Sequence, residues 1–462
     1  MSADPLREQA LEILIAVYDG EPLDALLEEA IAGQADRRHG ALLAELVRGT
    51  LQWRGRYQHI LRQFVRRKVS TQSNELALFH LTLHQMLGMD GVPVYAAIHQ
   101  AGELCRSHVS RNKVGFVNGV LQSINRKLLS DDAVGNNRRE ANMKALFEDL
   151  SGDAGAHIAA WQSHPQWLVQ RWLERFGQRP TEEICLFNNQ PVAIAFHVLA
   201  PANPASVAED LDNAGLSVRP GNHPRTLWAE DRPNRAQLLE VLEQHPCLIV
   251  QDPAVQEATN WLMASSKVIS GTAMEDMPVL DMCAAPGGKT ARLAAAWPGQ
   301  GAVVAMDNRP SRVALLENTV KRLSNPRIEV LQGDGLHTPF PPNHFGAILL
   351  DGPCSGTGVL RHHPDGRWRL EKRLPGRNGR ILRKLAHAAM DLLAPGGLLM
   401  YATCSLEPLE NELVLDKLMT ERDDVITVED EIGNWQRQWL PGEIGGDGFF
   451  AARLMKKPLG ED

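Results

Sequence analysis

Leu6, Ala10, Leu14 and Val17, flanked by Leu11, Ile13 and Tyr18, recur at the three- and four-residue spacing of one helix face, and Asp19-Gly20-Glu21-Pro22 ends the run. Similar stripes over residues 42–51, 75–87, 94–104 and 114–121 predict an all-α first portion. The polar stretch 130–140 reads as a linker or loop, and further helices lie between residues 161 and 176. The period then changes. Strand-like segments at 192–199, 226–229 and 247–251 alternate with helix-like segments at 206–214 and 235–243, which predicts a small α/β subdomain. From about residue 253 the alternation becomes regular, with apolar runs at 278–282, 302–306, 328–331, 347–350 and 398–402 separated by helix-length segments. That is the pattern of a doubly wound parallel sheet. Segments 425–428 and 448–454 are expected to close it as an antiparallel hairpin. The predicted division is 1–140, 141–252 and 253–462.

A chain of 462 residues, 44% hydrophobic and 23% charged, has material for several cores. No apolar run approaches the roughly 18 residues of a membrane span, and the acidic first residues do not read as an export signal. The expectation is a cytoplasmic protein with no membrane partner. Six cysteines without regular spacing suggest reduced thiols rather than disulfides or a zinc site. Cys105, Cys185 and Cys247 read as core residues. His362 and His363 near Cys354 have the wrong spacing for zinc, so no metal is expected.

The net charge of −8 argues against a nucleic-acid partner, but its distribution reverses that reading. Residues 37–127 hold 14 Lys/Arg against four Asp/Glu, and residues 361–384 hold nine against two. Two basic blocks on an acidic chain suit local contacts to phosphates. Trp368 lies within the second block, which is expected to grip phosphates around a flipped-out base.

Val279-Leu-Asp-Met-Cys-Ala-Ala-Pro-Gly-Gly-Lys-Thr290 joins a strand to a helix through small residues, and Gly287 and Gly288 let a ligand approach a helix N-terminus. Asp307 ends the next strand, where ribose hydroxyls are held, and Asp334 follows the third. Neither the dinucleotide motif G-x-G-x-x-G nor the phosphate loop G-x-x-x-x-G-K-[ST] is present. A class I S-adenosylmethionine site remains.

Behind the later strands stand Asp351-Gly-Pro-Cys-Ser-Gly-Thr-Gly358 and Tyr401-Ala-Thr-Cys-Ser-Leu406. Carbon 5 of a pyrimidine is a poor nucleophile. A thiolate adding at carbon 6 makes it enamine-like, an acid meets the charge at N3, and a base then removes the carbon-5 proton so that the thiol leaves. One cysteine and one carboxylate are required. Methyltransferases of exocyclic amines carry Asn/Asp-Pro-Pro-aromatic here instead, so carbon is favoured over nitrogen as acceptor. The residues alone do not choose between Cys354 and Cys404. The Pro-Cys step of DNA cytosine methyltransferases points to Cys354.

Met282-Cys-Ala-Ala-Pro-Gly-Gly-Lys-Thr290, Asp351-Gly-Pro-Cys-Ser-Gly-Thr-Gly358, Arg361-His-His-Pro-Asp365 and Tyr401-Ala-Thr-Cys-Ser405 with Asn411-Glu412 resemble the bacterial ribosomal RNA cytosine-5 methyltransferase family called RsmB, Sun or Fmu. Glu45-Leu-Val-Arg-Gly-Thr-Leu-Gln-Trp-Arg54 and Phe116-Val-Asn-Gly-Val-Leu121 resemble its NusB-like N-terminal domain. Ser163-His-Pro-Gln-Trp-Leu168, Gln251-Asp-Pro-Ala254 and Gly446-Asp-Gly-Phe-Phe450 extend the likeness over nearly the whole chain. The resemblance implies an all-α NusB-like RNA-binding domain, a small α/β (RRM-like) subdomain and a Rossmann-like α/β class I methyltransferase domain. It implies that Cys283, Ala284, Ala285, Pro286, Gly287, Gly288, Lys289, Asp307, Asp334 and Asp351 line the S-adenosylmethionine site. It also implies that Cys404 is the nucleophile, that Cys354 helps release the product and that Asp351 serves both the methyl donor and N3. The product would be 5-methylcytosine in 16S ribosomal RNA, at cytosine 967, made by a monomer.

Four positions depart from the family pattern. Gly352 replaces an alanine, Gly366 an apolar residue and Leu382 a glutamine, and Ala195-Phe-His-Val198 lacks Arg-Val-Asn. Two rival readings are the same chemistry on transfer RNA or another ribosomal site, and a non-catalytic RNA-binding or assembly factor. Intact Cys354, Cys404, Asp351 and Lys289 speak against the second rival.

Overall fold

The computed structural model describes residues 3–65, 73–129 and 135–460, and contacts divide the chain into two compact units: residues 1–190 with 360–370, and residues 191–359 with 371–462. Arg66, Arg67 and Lys68 of the first basic block, and residues 130–134 of the expected linker, lie outside the described residues.

The first unit is all-α. Asp4 caps helix Pro5–Tyr18 by accepting from Arg7 N at 3.1 Å, and Ala10, Leu11, Leu14 and Val17 of the predicted stripe are buried. The other stripes form Arg37–Gln52, Ser73–Leu87, Val94–His108 and Val114–Leu128. Helices Leu23–Ala32 and Arg54–Phe64 bury only two and three residues, too few to mark a stripe. Residues 135–140 are a correction: they open helix Gly135–Ala145, in which Glu140 and Lys144 pair one turn apart at 2.7 Å. Helices Ala154–Trp161 and Gln166–Phe176 are separated by Ser163, at φ 59°, and Pro165.

Two arginines of this unit are structural. Arg56 stacks over the rings of Trp53 and Trp161 and donates to Trp161 O at 2.7 Å. Arg367 is fully buried, donating to Ser163 O and Asn188 O at 3.0 Å and to Asn189 Oδ1 at 2.9 Å, while Trp368 Nε1 donates to Leu51 O at 2.8 Å. These two residues, expected to grip RNA, are instead built into the helical unit.

The second unit holds two sheets. The smaller contains β1 (Ala195–Val198), β2 (Val218–Pro220), β3 (Thr226–Ala229) and β4 (Leu248–Val250) in the order β2-β3-β1-β4, antiparallel throughout. Phe196, Val198, Leu227 and Leu248 pack with Val207, Leu211 and Val241 of helices Pro204–Asn213 and Arg235–Gln244.

The larger sheet contains β5 (Val279–Asp281), β6 (Val303–Asp307), β7 (Ile328–Gln332), β8 (Phe345–Asp351), β9 (Leu393–Thr403), β10 (Val425–Thr427), β11 (Gln436–Trp439) and β12 (Phe449–Lys456). Its order is β10-β12-β9-β8-β5-β6-β7, with β11 added on β12. Strands β5 to β9 run parallel, and β5, β6, β8 and β9 bury both faces, which is why these four read as apolar runs. Both tail segments pair antiparallel, with β12 inserted between β10 and β9. From β5 the chain winds outward to β6 and β7 on one side and to β8 and β9 on the other. The reversal leaves a crevice at the carboxyl ends of β5 and β8, where such sheets bind ligands.

Candidate active site

Four chemistry-bearing residues stand at or just past the ends of neighbouring strands. Asp281 ends β5, Asp307 ends β6, Asp351 ends β8 opposite Ala402 of β9, and Cys404 follows β9 directly. The carboxylates on β5, β6 and β8 therefore converge because parallel strands end together.

On the cofactor side, Gly287 holds φ 105° and precedes helix Gly288–Ala296, whose N-terminus has no side-chain cap. A Cβ at Gly287 would stand 3.0 Å from Leu316 Cδ1, so glycine is required both by the backbone and by the helix behind it. Ala284 and Ala285 are buried, Ala284 N donates to Met306 O at 2.8 Å, and Arg312 Nη2 donates to Ala285 O at 2.6 Å. The stretch from Cys283 through Pro286 is thus tied to β6 and to helix Pro310–Leu323. Asp307 is buried. One of its oxygens accepts from Arg309 N at 3.2 Å, while Oδ2 has no hydrogen-bond partner, although Arg312 Nε lies 3.4 Å away. Asp334, half-exposed past β7, accepts from Leu336 N and His337 Nδ1 at 3.0 and 3.1 Å.

A buried carboxylate oxygen that accepts no hydrogen bond, beside an uncapped helix N-terminus and a glycine whose side-chain space is closed, fits a ribose-bearing, zwitterionic ligand such as S-adenosylmethionine. Asp281 is also buried. Its Oδ2 accepts from Thr290 Oγ1 at 2.7 Å, Oδ1 has no hydrogen-bond partner, and burial pushes its carboxyl up to about 7.

On the reaction side, Lys289 Nζ lies 2.6 Å from Asp351 Oδ2. Burial alone would pull the Lys289 ammonium down, but Asp351, with smaller contributions from Asp281 and the charge of Cys404, holds it above the ordinary lysine value. Cys354 Sγ and Cys404 Sγ are 3.2 Å apart. The Cys354 thiol is pushed well up, first by its hydrogen bond to Cys404, then by burial and by the negative charges of Cys404, Glu410 and Asp351. The two sulfurs therefore differ in surroundings. Cys354 faces the carboxylates of Glu410 and Asp351, and Cys404 belongs to the charge environment of Lys289.

The loops are fastened to each other. Gly358 N donates to Cys404 O at 3.0 Å, Leu406 N donates to Thr357 Oγ1 at 2.9 Å, and Asn411 Nδ2 donates to Ser405 O at 2.8 Å. Glu410 accepts from both loops and is a residue that the motifs did not single out. The sequence signal for it is the repeated Cys-Ser dipeptide at 354–355 and 404–405. Two of the departures from the family pattern face each other here: a Cβ at Gly352 would stand 2.4 Å from Leu382 Cδ2.

The strand order and the donor-site geometry define the class: a Rossmann-like α/β methyltransferase domain joined to a small antiparallel α/β domain and an all-α domain. Known family models match in three stretches: 16S rRNA methyltransferase RsmB/F over residues 271–455, the NusB family over 4–126, and the ferredoxin-like domain of RsmF/B-like methyltransferases over 164–227. The Probable ribosomal RNA small subunit methyltransferase B of Bacillus subtilis (strain 168) is 28% identical, covering 99% of this chain and 100% of its own length. The Ribosomal RNA small subunit methyltransferase B of Vibrio cholerae is 28% identical with 98% of each covered. The crystal structure of PH0851 shares the fold, with a TM-score of 0.73 at 21% identity over 99% of this chain and 100% of that one. Along nearly its whole length the chain is similar to the RsmB family of ribosomal RNA methyltransferases, with a NusB-like N-terminal domain, and its methyl donor is S-adenosylmethionine.

Proposed function

We propose that this protein forms 5-methylcytosine in the 16S RNA of the small ribosomal subunit, with cytosine 967 as target, through a covalent bond between Cys404 and carbon 6 of the base. The observation that carries the reading is the contact between the two thiols, together with the Lys289–Asp351 ion pair.

Cys404 passes its thiol proton to Asp351 and attacks carbon 6, and the electrons of the C5=C6 bond move toward N3. Asp351 hands that proton to N3, and Lys289 holds the carboxylate that remains. S-Adenosylmethionine supplies an electrophilic methyl group, which the enamine-like carbon 5 takes. Asp307, Asp334 and the segment from Cys283 to Lys289 would hold the donor, and Asp351 borders it.

Bonding of Cys404 to carbon removes the hydrogen bond and the charge that kept Cys354 protonated. Cys354 then loses its proton to solvent and takes the carbon-5 proton. The C5=C6 bond re-forms, Cys404 leaves as thiolate, and N3 returns its proton to Asp351. In this order the same two sulfurs make and then break one bond.

The test uses radiolabelled small-subunit RNA and S-adenosylmethionine. Cys354→Ala should accumulate a covalent protein–RNA band, and Cys404→Ala should form neither band nor product. A band from the Cys404 variant would overturn the assignment. Bisulfite mapping of RNA from a deletion strain identifies the nucleotide.

A further inference from the structure

Glu410 is fully buried, and its carboxylate joins the two cysteine loops. Oε1 accepts from Ser355 N at 2.8 Å, and Oε2 accepts from Ser355 Oγ at 2.6 Å and Ser405 Oγ at 2.5 Å. Asn378, on helix Leu374–Leu392, adds a side-chain hydrogen bond. Ser355 follows Cys354 and Ser405 follows Cys404, so the carboxylate is one residue removed from each sulfur. The main chain of Glu410 is fixed as well, its carbonyl accepting from Tyr401 Oη and its N–H donating to Glu407 O at 2.9 Å.

Burying a carboxylate among neutral donors costs several kcal/mol. Burial pushes the Glu410 carboxyl up, and the serine and asparagine donors pull it back. A helix start needs no such group. A carboxylate is the one side chain with about four acceptor sites and no donor, which is what two hydroxyls, an amide and a backbone N–H on three separate segments require of a single partner.

We propose that Glu410 is a positioning residue for methyl transfer, clamping the loops of Cys354 and Cys404 so that their sulfurs stay within contact distance. The functional part of this inference rests on the cysteine chemistry proposed above; the geometric part does not.

Two readouts separate them. In the first, the full-length protein is treated with diamide, a diazene that takes two electrons and two protons from a pair of thiols as the Cys354–Cys404 disulfide forms, and the linked peptides are quantified by mass spectrometry over time. In the second, kcat and the KM for RNA are measured. Glu410→Ala should cross-link at least tenfold more slowly and lose about 10- to 100-fold in kcat, the range expected for roughly 1 Å of misplacement, with KM for RNA within twofold of wild type. The double variant Ser355→Ala/Ser405→Ala keeps the carboxylate and should move both readouts in the same direction, so a Glu410 variant that fails to fold does not stall the test. A cross-linking rate within twofold of wild type in a folded variant would overturn the proposal. Diamide does not distinguish the roles of the two sulfurs. An error in assigning the nucleophile would therefore appear in the adduct assay and leave the cross-linking result intact.

Discussion

Cys354 Sγ and Cys404 Sγ face each other at 3.2 Å, on loops leaving two hydrogen-bonded parallel strands. At this distance a proton on one sulfur is a donor to the other, and the first-ranking influence on Cys354 is that hydrogen bond. The bond favours the protonated form of Cys354, so its removal lowers the Cys354 pKa and raises the thiolate fraction at neutral pH. Cys354 is therefore expected to react faster with iodoacetamide in Cys404→Ala than in the wild type, by about tenfold per unit of pKa change. Peptide mass spectrometry across mildly alkaline pH measures this, and equal rates would contradict the coupling.

The Oδ2 of buried Asp307, which accepts no hydrogen bond, makes a second expectation specific. A hydrogen bond from a ligand hydroxyl to a charged acceptor is worth about 1.5–3 kcal/mol, or about 10- to 100-fold in affinity. Calorimetry with S-adenosylmethionine should show that loss for Asp307→Ala, while RNA binding in the absence of the donor stays at the wild-type level.

Gly358 offers a third test. A Cβ there would stand 2.3 Å from Gly448 O and 3.0 Å from Cys404 O, both main-chain atoms that cannot swing aside. Gly358→Ala should force the two cysteine loops apart, lowering stability by about 1–3 kcal/mol, the usual cost of overpacking. The guanidinium midpoint should fall at unchanged slope.

Strands β6, β8 and β9 were legible in the sequence because parallel strands buried on both faces are apolar end to end. Asp307 and Asp351 were legible because the carboxylate comes at the end of such a run. β2, with no buried residue, offered no pattern. Glu410 escaped notice because its meaning depends on residues 355 and 405 becoming neighbours, which strand order decides and local sequence does not. Arg367 misled for the same reason: one of its acceptors, Ser163 O, is 204 residues away, and nothing near residue 367 separates a buried arginine from a solvated one.

Gly352 and Leu382 were noted separately as departures, and the fold makes them one feature. Leu382 is fully buried. With alanine at position 352, the second δ-branch of this leucine has no room, whereas an unbranched glutamine at position 382 lacks that branch. Glycine at position 352 and leucine at position 382 are thus a matched pair: an alanine behind Asp351 is accommodated only if the leucine side chain shifts, so the space behind the reacting carboxylate is set by a residue on a different element.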